Sequence, residues 1–159
     1  MLAPEHAKGA PMTDAAGSID PTRAQFKAFM TAPQDTPIHM LNLIRLNALA
    51  AYPEGHPDQG KGLTGRDAYR AYGRTTAHIF KRVGGVQVWV GRPEVVLTGP
   101  LDEHWDIAFI AQYPHSLAFA EMVRDPEYQE LVKHRQAAVA DSRLIRMLPV
   151  EAGEGFGES

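Results

Sequence analysis

The stretch RVGGVQVWVG, residues 82–91, contains two different patterns of apolar residues. Before Gly84 and Gly85 the apolar residues recur at helical spacing, and after them three valines alternate with other side chains, which is typical of a strand. Glycine adopts the left-handed conformation that ends many helices, so the pair predicts a helix-to-strand junction. Simple alternation also predicts that Gln87 and Trp89 share one face of the new strand.

The same two patterns, followed outward, predict the rest of the fold. Further strands are predicted at residues 37–46, 104–113 and 143–150. Helices are predicted from Asp20-Pro21, at residues 64–83, from Ser116, and from Asp125-Pro126. The resulting order is β-α-β-β-α-β with an extra N-terminal helix. Two right-handed crossovers in that order predict a ferredoxin-like α+β fold, with helices on one face of the sheet.

Composition indicates a single soluble globular domain. The chain has 159 residues, of which 44% are hydrophobic and 22% charged. We expect residues 1–18 to be a flexible arm, residues 19–150 to be the domain, and residues 151–159 to be a flexible tail. A net charge of −3 without a basic stripe predicts no nucleic-acid partner. No signal-peptide pattern and no long apolar run is present, so we expect a cytoplasmic protein without membrane contact.

Several cofactor classes are disfavoured by the residues present. The chain has no cysteine, which excludes disulfides, a thiol nucleophile and cysteine-bound metals. The segment GHPDQGKG, residues 55–62, approaches a phosphate-binding loop, but Gly62 replaces the usual serine or threonine. Glu130 and His134 lie one helical turn apart and are expected to be an exposed pair. We therefore predict no metal and no cofactor, and a long loop at residues 47–63 that is either a lid or mobile.

The strands are apolar on both faces, which predicts a partner. Met40 and Ile44 point away from Leu41 and Leu43, while helices can cover only one side. An uncovered second face would expose an apolar patch larger than monomers usually have. A second copy packed sheet against sheet removes this exposure and encloses a cavity, so we predict a homodimer. Trp89 either lines that cavity or fills the core.

Asp106 is the candidate catalytic residue. A carboxylate on a buried strand either has a partner or a raised pKa, and in an apolar cavity it can serve as a general acid or base. The alternative is a structural ion pair with an arginine, for which the candidates are Arg45, Arg135 and Arg146.

Asn42, Tyr69, Tyr72 and Trp89 are the candidate ligand-binding residues. Asparagine is poorly suited to a buried strand, so its amide is expected to bind a ligand or to form a structural contact across the dimer. The two tyrosines follow a helical stripe, where their hydroxyls either reach a cavity or lie at the edge of the core.

Five blocks of sequence resemble one known family. HMLNLIRL, AYRAYG, VGGVQVWVGRPE, EHWDIAFIAQYPHSLAFAEMVRDPEY and HRQAAVADSRLIRM, all within residues 37–148, are similar to successive blocks of the domain of unknown function 1330 family. The resemblance implies the dimeric α+β barrel form of the ferredoxin-like fold and no settled reaction. Proteins of that architecture include cofactor-free monooxygenases, muconolactone-type isomerases and haem-degrading enzymes, so the fold alone selects no chemistry.

Two functional hypotheses follow from the sequence. In the first, the protein binds a small organic acid, lactone or aromatic compound, and whether it also acts as a cofactor-independent isomerase or monooxygenase stays open. In the second, it is a non-catalytic binding or assembly module whose polar core residues are only structural.

Overall fold

The computed structural model describes residues 17–157, which form four helices and four strands. In chain order these are α1 (Arg23–Thr31), β1 (Ile38–Leu46), α2 (Gly65–Arg82), β2 (Val86–Gly91), β3 (Ile107–Tyr113), α3 (Ser116–Arg124), α4 (Pro126–Ala138) and β4 (Val139–Met147). The predicted element order is confirmed. None of the helices within the described residues is long and apolar enough to span a membrane.

The sheet has the strand order β2-β3-β1-β4, and every neighbouring pair is antiparallel. This is the ferredoxin-like arrangement that the sequence predicted. Strand β1 lies between β3 and β4, so it is the central strand, and its side chains alternate between the two faces. On one face Ile38, Met40 and Ile44 are buried against the helices. We call this the helix-covered face.

The opposite surface of the sheet, the open face, carries an apolar row that crosses all four strands. The pairing register aligns Trp89 with Ile110, Ile110 with Leu41, and Leu41 with Ile145. Trp89 and Ile145 are 51% and 47% exposed. The prediction that the strands are apolar on both faces is therefore confirmed.

The prediction that Gln87 and Trp89 share a face is wrong. The pairing of β2 with β3 shifts between these two residues, because Val88 is an extra residue in the ladder. Gln87 pairs with Ala111 on the helix-covered face, whereas Trp89 pairs with Ile110 on the open face. A β-bulge inserts one residue into one strand, which reverses the side-chain alternation beyond it.

The double glycine forms the predicted helix-to-strand junction. The Gly84 amide donates to the carbonyl of Lys81 at 3.0 Å, and the Gly85 amide donates to that of Phe80 at 2.8 Å. These two bonds define a Schellman motif at the end of α2. Gly84 has a φ of +87°, and Gly85 lies directly against the Phe80 ring. Gly84 is required by its left-handed backbone conformation, whereas Gly85 is required because a larger side chain would overlap the Phe80 ring.

Helix α1 begins later than predicted. Its N-cap is Thr22, whose hydroxyl accepts from the Gln25 amide at 3.1 Å while the Gln25 side chain accepts from the Thr22 amide at 3.0 Å. This reciprocal capping box places the helix start after Asp20-Pro21. Asp20 instead accepts a hydrogen bond from the Gln136 side chain at 3.2 Å.

The ends of the chain differ in part from the predicted boundaries. Of the predicted flexible arm, residues 1–16 lie outside the described residues, as do the last two residues of the predicted tail. Ser18, predicted to belong to the arm, is bound to β4: its amide donates to Asp141 Oδ1 at 2.8 Å, and its carbonyl accepts from Ser142 Oγ at 2.6 Å. Residues 151–157 contain no helix or strand.

Glycine substitutions test the junction. Gly84→Ala should cost about 1–2 kcal/mol because it places a Cβ in the left-handed conformation. Gly85→Ala should cost about 1–3 kcal/mol because the new methyl group overlaps the Phe80 ring. Gly73→Ala is the matched control. Gly73 lies within α2, and a Cβ added there would meet nothing within 4 Å, so the substitution should stabilise the protein by about 1 kcal/mol.

Urea unfolding of the three variants measures these changes. Equal effects at all three positions would contradict the assignment of separate roles to the two junction glycines.

Candidate ligand-binding cleft

A cleft of roughly 1150 Å³ lies between the helix-covered face and the helices. Its apolar walls come from the sheet and from α1, α2, α3 and α4, and include the aromatic rings of Phe29, Phe80, Phe109 and Phe119. The Phe29 and Phe119 rings contact each other with centroids 5.1 Å apart, which joins α1 to α3 at this wall. The volume is slightly larger than the range of about 300–1,000 Å³ that is typical of small-molecule sites.

Asn42 is the polar group that β1 contributes to the cleft. It is only 9% exposed, and its Nδ2 donates to the Met40 carbonyl at 3.0 Å. No partner for its Oδ1 is found within the part of the chain that the structure describes. Asn42 is therefore a buried polar side chain with one unused acceptor at the cleft, as its position in a buried strand suggested.

Four tyrosines line the same cleft, and one of them, Tyr113, donates its hydroxyl to the Met122 sulfur at 3.9 Å. Tyr69 and Tyr72 lie on α2, and Tyr128 lies on α4. The Tyr72 and Tyr128 hydroxyl oxygens are 2.8 Å apart and hydrogen-bonded to each other. The Tyr69 hydroxyl has no hydrogen-bond partner among residues 17–157. Tyr69 is thus the tyrosine whose hydroxyl is available to a ligand.

Burial keeps these phenols protonated. It raises the pKa of Tyr69 and Tyr72 above the usual value, and it raises that of Tyr128 as well, with the neighbouring Tyr72 adding to the effect. The three hydroxyls are therefore neutral hydrogen-bonding groups near physiological pH. They can bind and orient a ligand oxygen, but they are poor bases.

Arg135 closes one side of the cleft. Its guanidinium donates to the Ile19 carbonyl at 2.6 Å and to Ser142 Oγ at 3.3 Å, and it lies 3.7 Å from a carboxylate oxygen of Asp20. This buried charge is satisfied by the segment that precedes α1 and by β4. The sequence suggested Arg135 only as a partner for Asp106, because its contacts with Ile19 and with Ser142 of β4 depend on long-range packing.

Two of the predicted site residues lie outside the cleft, and Trp89 is the first. Its ring lies over Gly91 on the open face, where a Cβ on the glycine would come within 2.8 Å of the indole. Gln87 and Val90 from the same strand line the cleft instead. The structure therefore groups Asn42 with the tyrosines and leaves Trp89 on the other side of the sheet.

Asp106 is the second residue outside the cleft. It directly precedes β3, because the strand begins at Ile107 rather than at residue 104 as predicted. Its Oδ2 accepts from the Leu46 amide at 2.7 Å, and its own amide donates to the Ile44 carbonyl at 2.7 Å. No arginine forms an ion pair with it among the described residues, so the expectation of such a pair is wrong. The catalytic role of Asp106 stays a prediction.

The loop at residues 47–63 does not lie over the cleft. The Asn47 and Ala51 amides donate to the Ala138 and Ala137 carbonyls at 2.8 and 2.9 Å. The last carbonyls of α4 are satisfied in this way, which lets α4 pass directly into β4 without a glycine. None of the loop residues lines the cleft, so the structure gives no support to a lid over it.

Substitution of Asp106 tests its structural contribution. Asp106→Ala should destabilise the fold by about 1.5–3 kcal/mol, because the Leu46 amide loses a charged acceptor. Asp106→Asn keeps an oxygen in place and should cost less than half as much. Urea unfolding measures both, and an alanine variant as stable as the original protein would show that this hydrogen bond does not hold β1 to β3.

Comparisons with known proteins agree with the fold. The family described as Domain of unknown function (DUF1330) matches residues 62–148. A crystal structure of the RPA0582 protein of unknown function from Rhodopseudomonas palustris is 54% identical, with a TM-score of 0.78, and the match covers 86% of this chain and 99% of that chain. A structure of the methylated RPA0582 protein is 53% identical, with a TM-score of 0.81, covering 87% and 99%.

More distant matches add nothing about the reaction. SnoaB, a cofactor-independent oxygenase from Streptomyces nogalater, is 13% identical with a TM-score of 0.45, covering 76% of this chain and 99% of that chain. No curated protein matches the sequence. The family match spans more than half of the chain, and the RPA0582 structures match over nearly their whole length. The chain therefore belongs to the DUF1330 family, whose domain has no assigned function.

Proposed function

We propose that the protein binds a small, partly apolar organic molecule in the cleft of the helix-covered face. The observation that carries this proposal is the pair of unused polar groups, the Asn42 carboxamide oxygen and the Tyr69 hydroxyl, among apolar walls. Both groups remain open to solvent in the cleft, since the fully buried side-chain oxygens without a partner in the described residues are those of Thr36 and Ser116. A ligand in the cleft would therefore replace water at the Asn42 oxygen and the Tyr69 hydroxyl.

The chemistry of these groups suggests the ligand class. The Asn42 oxygen only accepts, so it requires a ligand hydroxyl or other donor, whereas the Tyr69 hydroxyl can donate to a carbonyl or carboxyl oxygen. The guanidinium of Arg135 already has three oxygen partners and offers less to an anion. A small hydroxylated aromatic acid or lactone combines the apolar surface, the donor and the acceptor that the cleft requires.

The cleft supports binding more directly than catalysis. An isomerisation or oxygenation without a cofactor begins with removal of a substrate proton, which requires a base within hydrogen-bonding reach. The tyrosines are held in their protonated form, and Asp106 lies outside the cleft. Catalysis of this type is therefore a separate hypothesis that goes beyond binding. It requires that the bound molecule or a further group provide the base.

A non-catalytic assembly module is the second candidate. The bond between Tyr72 and Tyr128, the backbone contact of Asp106 and the internal partners of Arg135 favour it, because these polar groups are satisfied within the chain. In that case the Asn42 oxygen and the Tyr69 hydroxyl would form hydrogen bonds only with water.

A homodimer is part of the proposal for either function. The apolar row of Trp89, Ile110, Leu41 and Ile145 is continuous across the open face, and no helix packs on that side of the sheet in the described part of the chain. A second copy related by a two-fold axis would cover the row with the same row.

Ligand binding is tested with two asparagine variants. Asn42→Ala should weaken binding of a hydroxylated aromatic acid or lactone at least tenfold in calorimetry, because it removes the acceptor from the cleft. Asn47→Ala is the matched control, since Asn47 also donates to a backbone carbonyl, that of Ala137 at 3.1 Å, but does not line the cleft. Both variants should lose about 1 kcal/mol of stability.

The compounds for that test come from a thermal-shift screen of small aromatic acids and lactones. If none of them raises the melting temperature, or if both asparagine variants bind equally well, the proposed site is wrong.

The dimer is tested by introducing aspartate at two aliphatic positions that are equally exposed. Ile145→Asp places a charge in the apolar row and should convert a dimer into a monomer in light scattering at micromolar concentration. Leu117→Asp is the control, because Leu117 is also 47% exposed but lies on α3, away from the sheet. A monomeric mass for the unmodified protein would refute the dimer.

A further inference from the structure

A cluster of two histidines and one aspartate lies outside the cleft. His56 and Asp58 come from the loop between β1 and α2, and His134 comes from α4. One ring nitrogen of each histidine and one carboxylate oxygen lie within 4.8 Å of one another. We propose that this cluster binds a divalent transition-metal ion such as Zn²⁺. The bound ion would link the loop to α4.

The residue types select the class of metal. Two imidazole nitrogens and one carboxylate oxygen are the donor set of many Zn²⁺ sites, in which a fourth position is left for water. Magnesium and calcium prefer sites made of oxygen alone, so they fit this set poorly. The side chains of His134 and Asp58 are 14% and 26% exposed, which is enough shielding to hold an ion and enough access for it to enter.

The ligand atoms would have to approach one another by up to about 1.5 Å to hold a metal ion. His134 Nδ1 and Asp58 Oδ2 are 4.0 Å apart, whereas ligands of a tetrahedral Zn²⁺ with bonds near 2.0–2.1 Å are separated by about 3.3 Å. Asp58 uses its other oxygen, Oδ1, to bind the Lys61 ammonium at 3.0 Å. The oxygen that faces His134 is therefore available, and the lysine contact can persist when a metal binds.

Neighbouring groups already orient the cluster. The Asp58 amide donates to His56 Nδ1 at 3.0 Å, and the Tyr52 hydroxyl is 2.6 Å from His134 Nδ1. The buried Tyr52 ring also stacks on His56 with centroids 4.5 Å apart. The stacked Tyr52 ring holds His56 in place, whereas the Tyr52 hydroxyl would have to release His134 Nδ1 for that nitrogen to bind a metal. Metal binding here would exchange a proton or one of these hydrogen bonds at each imidazole for a bond to the ion.

The site differs from the pair that the sequence suggested. Glu130 binds Lys133 at 2.8 Å instead of facing the histidine one turn further along the helix. The partners of His134 come from a loop far away in sequence, which no local spacing reveals. None of the three ligands or Tyr52 lines the cleft, so this inference does not depend on the proposed function.

Metal binding is tested with the tag-free full chain after treatment with a chelator. Calorimetry with Zn²⁺ should show one ion per chain at micromolar or lower dissociation constant, together with a rise of several degrees in melting temperature, and Mg²⁺ at the same concentration should give neither. Co²⁺ should give the visible absorption of a tetrahedral site with nitrogen and oxygen ligands.

Four variants assign the ligands. His56→Ala, Asp58→Asn and His134→Ala should each weaken Zn²⁺ binding at least tenfold, whereas His104→Ala, an exposed histidine outside the cluster, should leave it unchanged. If His134→Ala does not fold by circular dichroism, Asp58→Asn decides, because it nearly preserves the shape of the side chain. Absence of Zn²⁺ binding, or equal binding by all four variants, would overturn the proposal.

Discussion

The central strand β1 has apolar side chains on both faces, and both faces have to be removed from water. Ile38, Met40 and Ile44 meet this requirement under the helices, where they are almost completely buried. Leu41 and Leu43 on the opposite face have no helix above them among residues 17–157. The need to cover both faces of one strand links the helix layer, the cleft beneath it and the proposed partner on the open face.

The helix layer covers its face without filling the space beneath it. Helix α1 and the segment before it are attached to α3, α4 and β4, through the contact of Phe29 with Phe119 and the bonds of Arg135. They enclose one side of the cleft and leave Asn42 and Tyr69 with unused polar atoms inside. Buried polar groups are normally paired, so these two residues mark the part of the interior where solvent or a ligand completes the structure.

Much of the fold could be predicted from local pattern. The helix-to-strand junction at Gly84-Gly85, the order of the elements and the apolar character of both sheet faces depend on residue spacing and on the conformational freedom of glycine. The cleft residues Asn42, Tyr69 and Tyr72 could also be identified from the sequence. An asparagine is unusual in a buried strand, and helical spacing shows which way the two tyrosines point. The sequence could not show which of their hydrogen-bonding groups are paired, since that depends on Tyr128 from another helix.

The architecture of this protein could be read from local residue patterns, because alternation, helical periodicity and turn residues act over a few neighbouring positions. Which polar residues meet became visible only in the folded chain. One extra residue at Val88 moved Trp89 to the opposite face from Gln87, the Leu46 amide took the place of the arginine expected beside Asp106, and a loop brought His56 and Asp58 to His134. Strand register and long-range packing set these contacts, and neither is encoded in the spacing of adjacent residues.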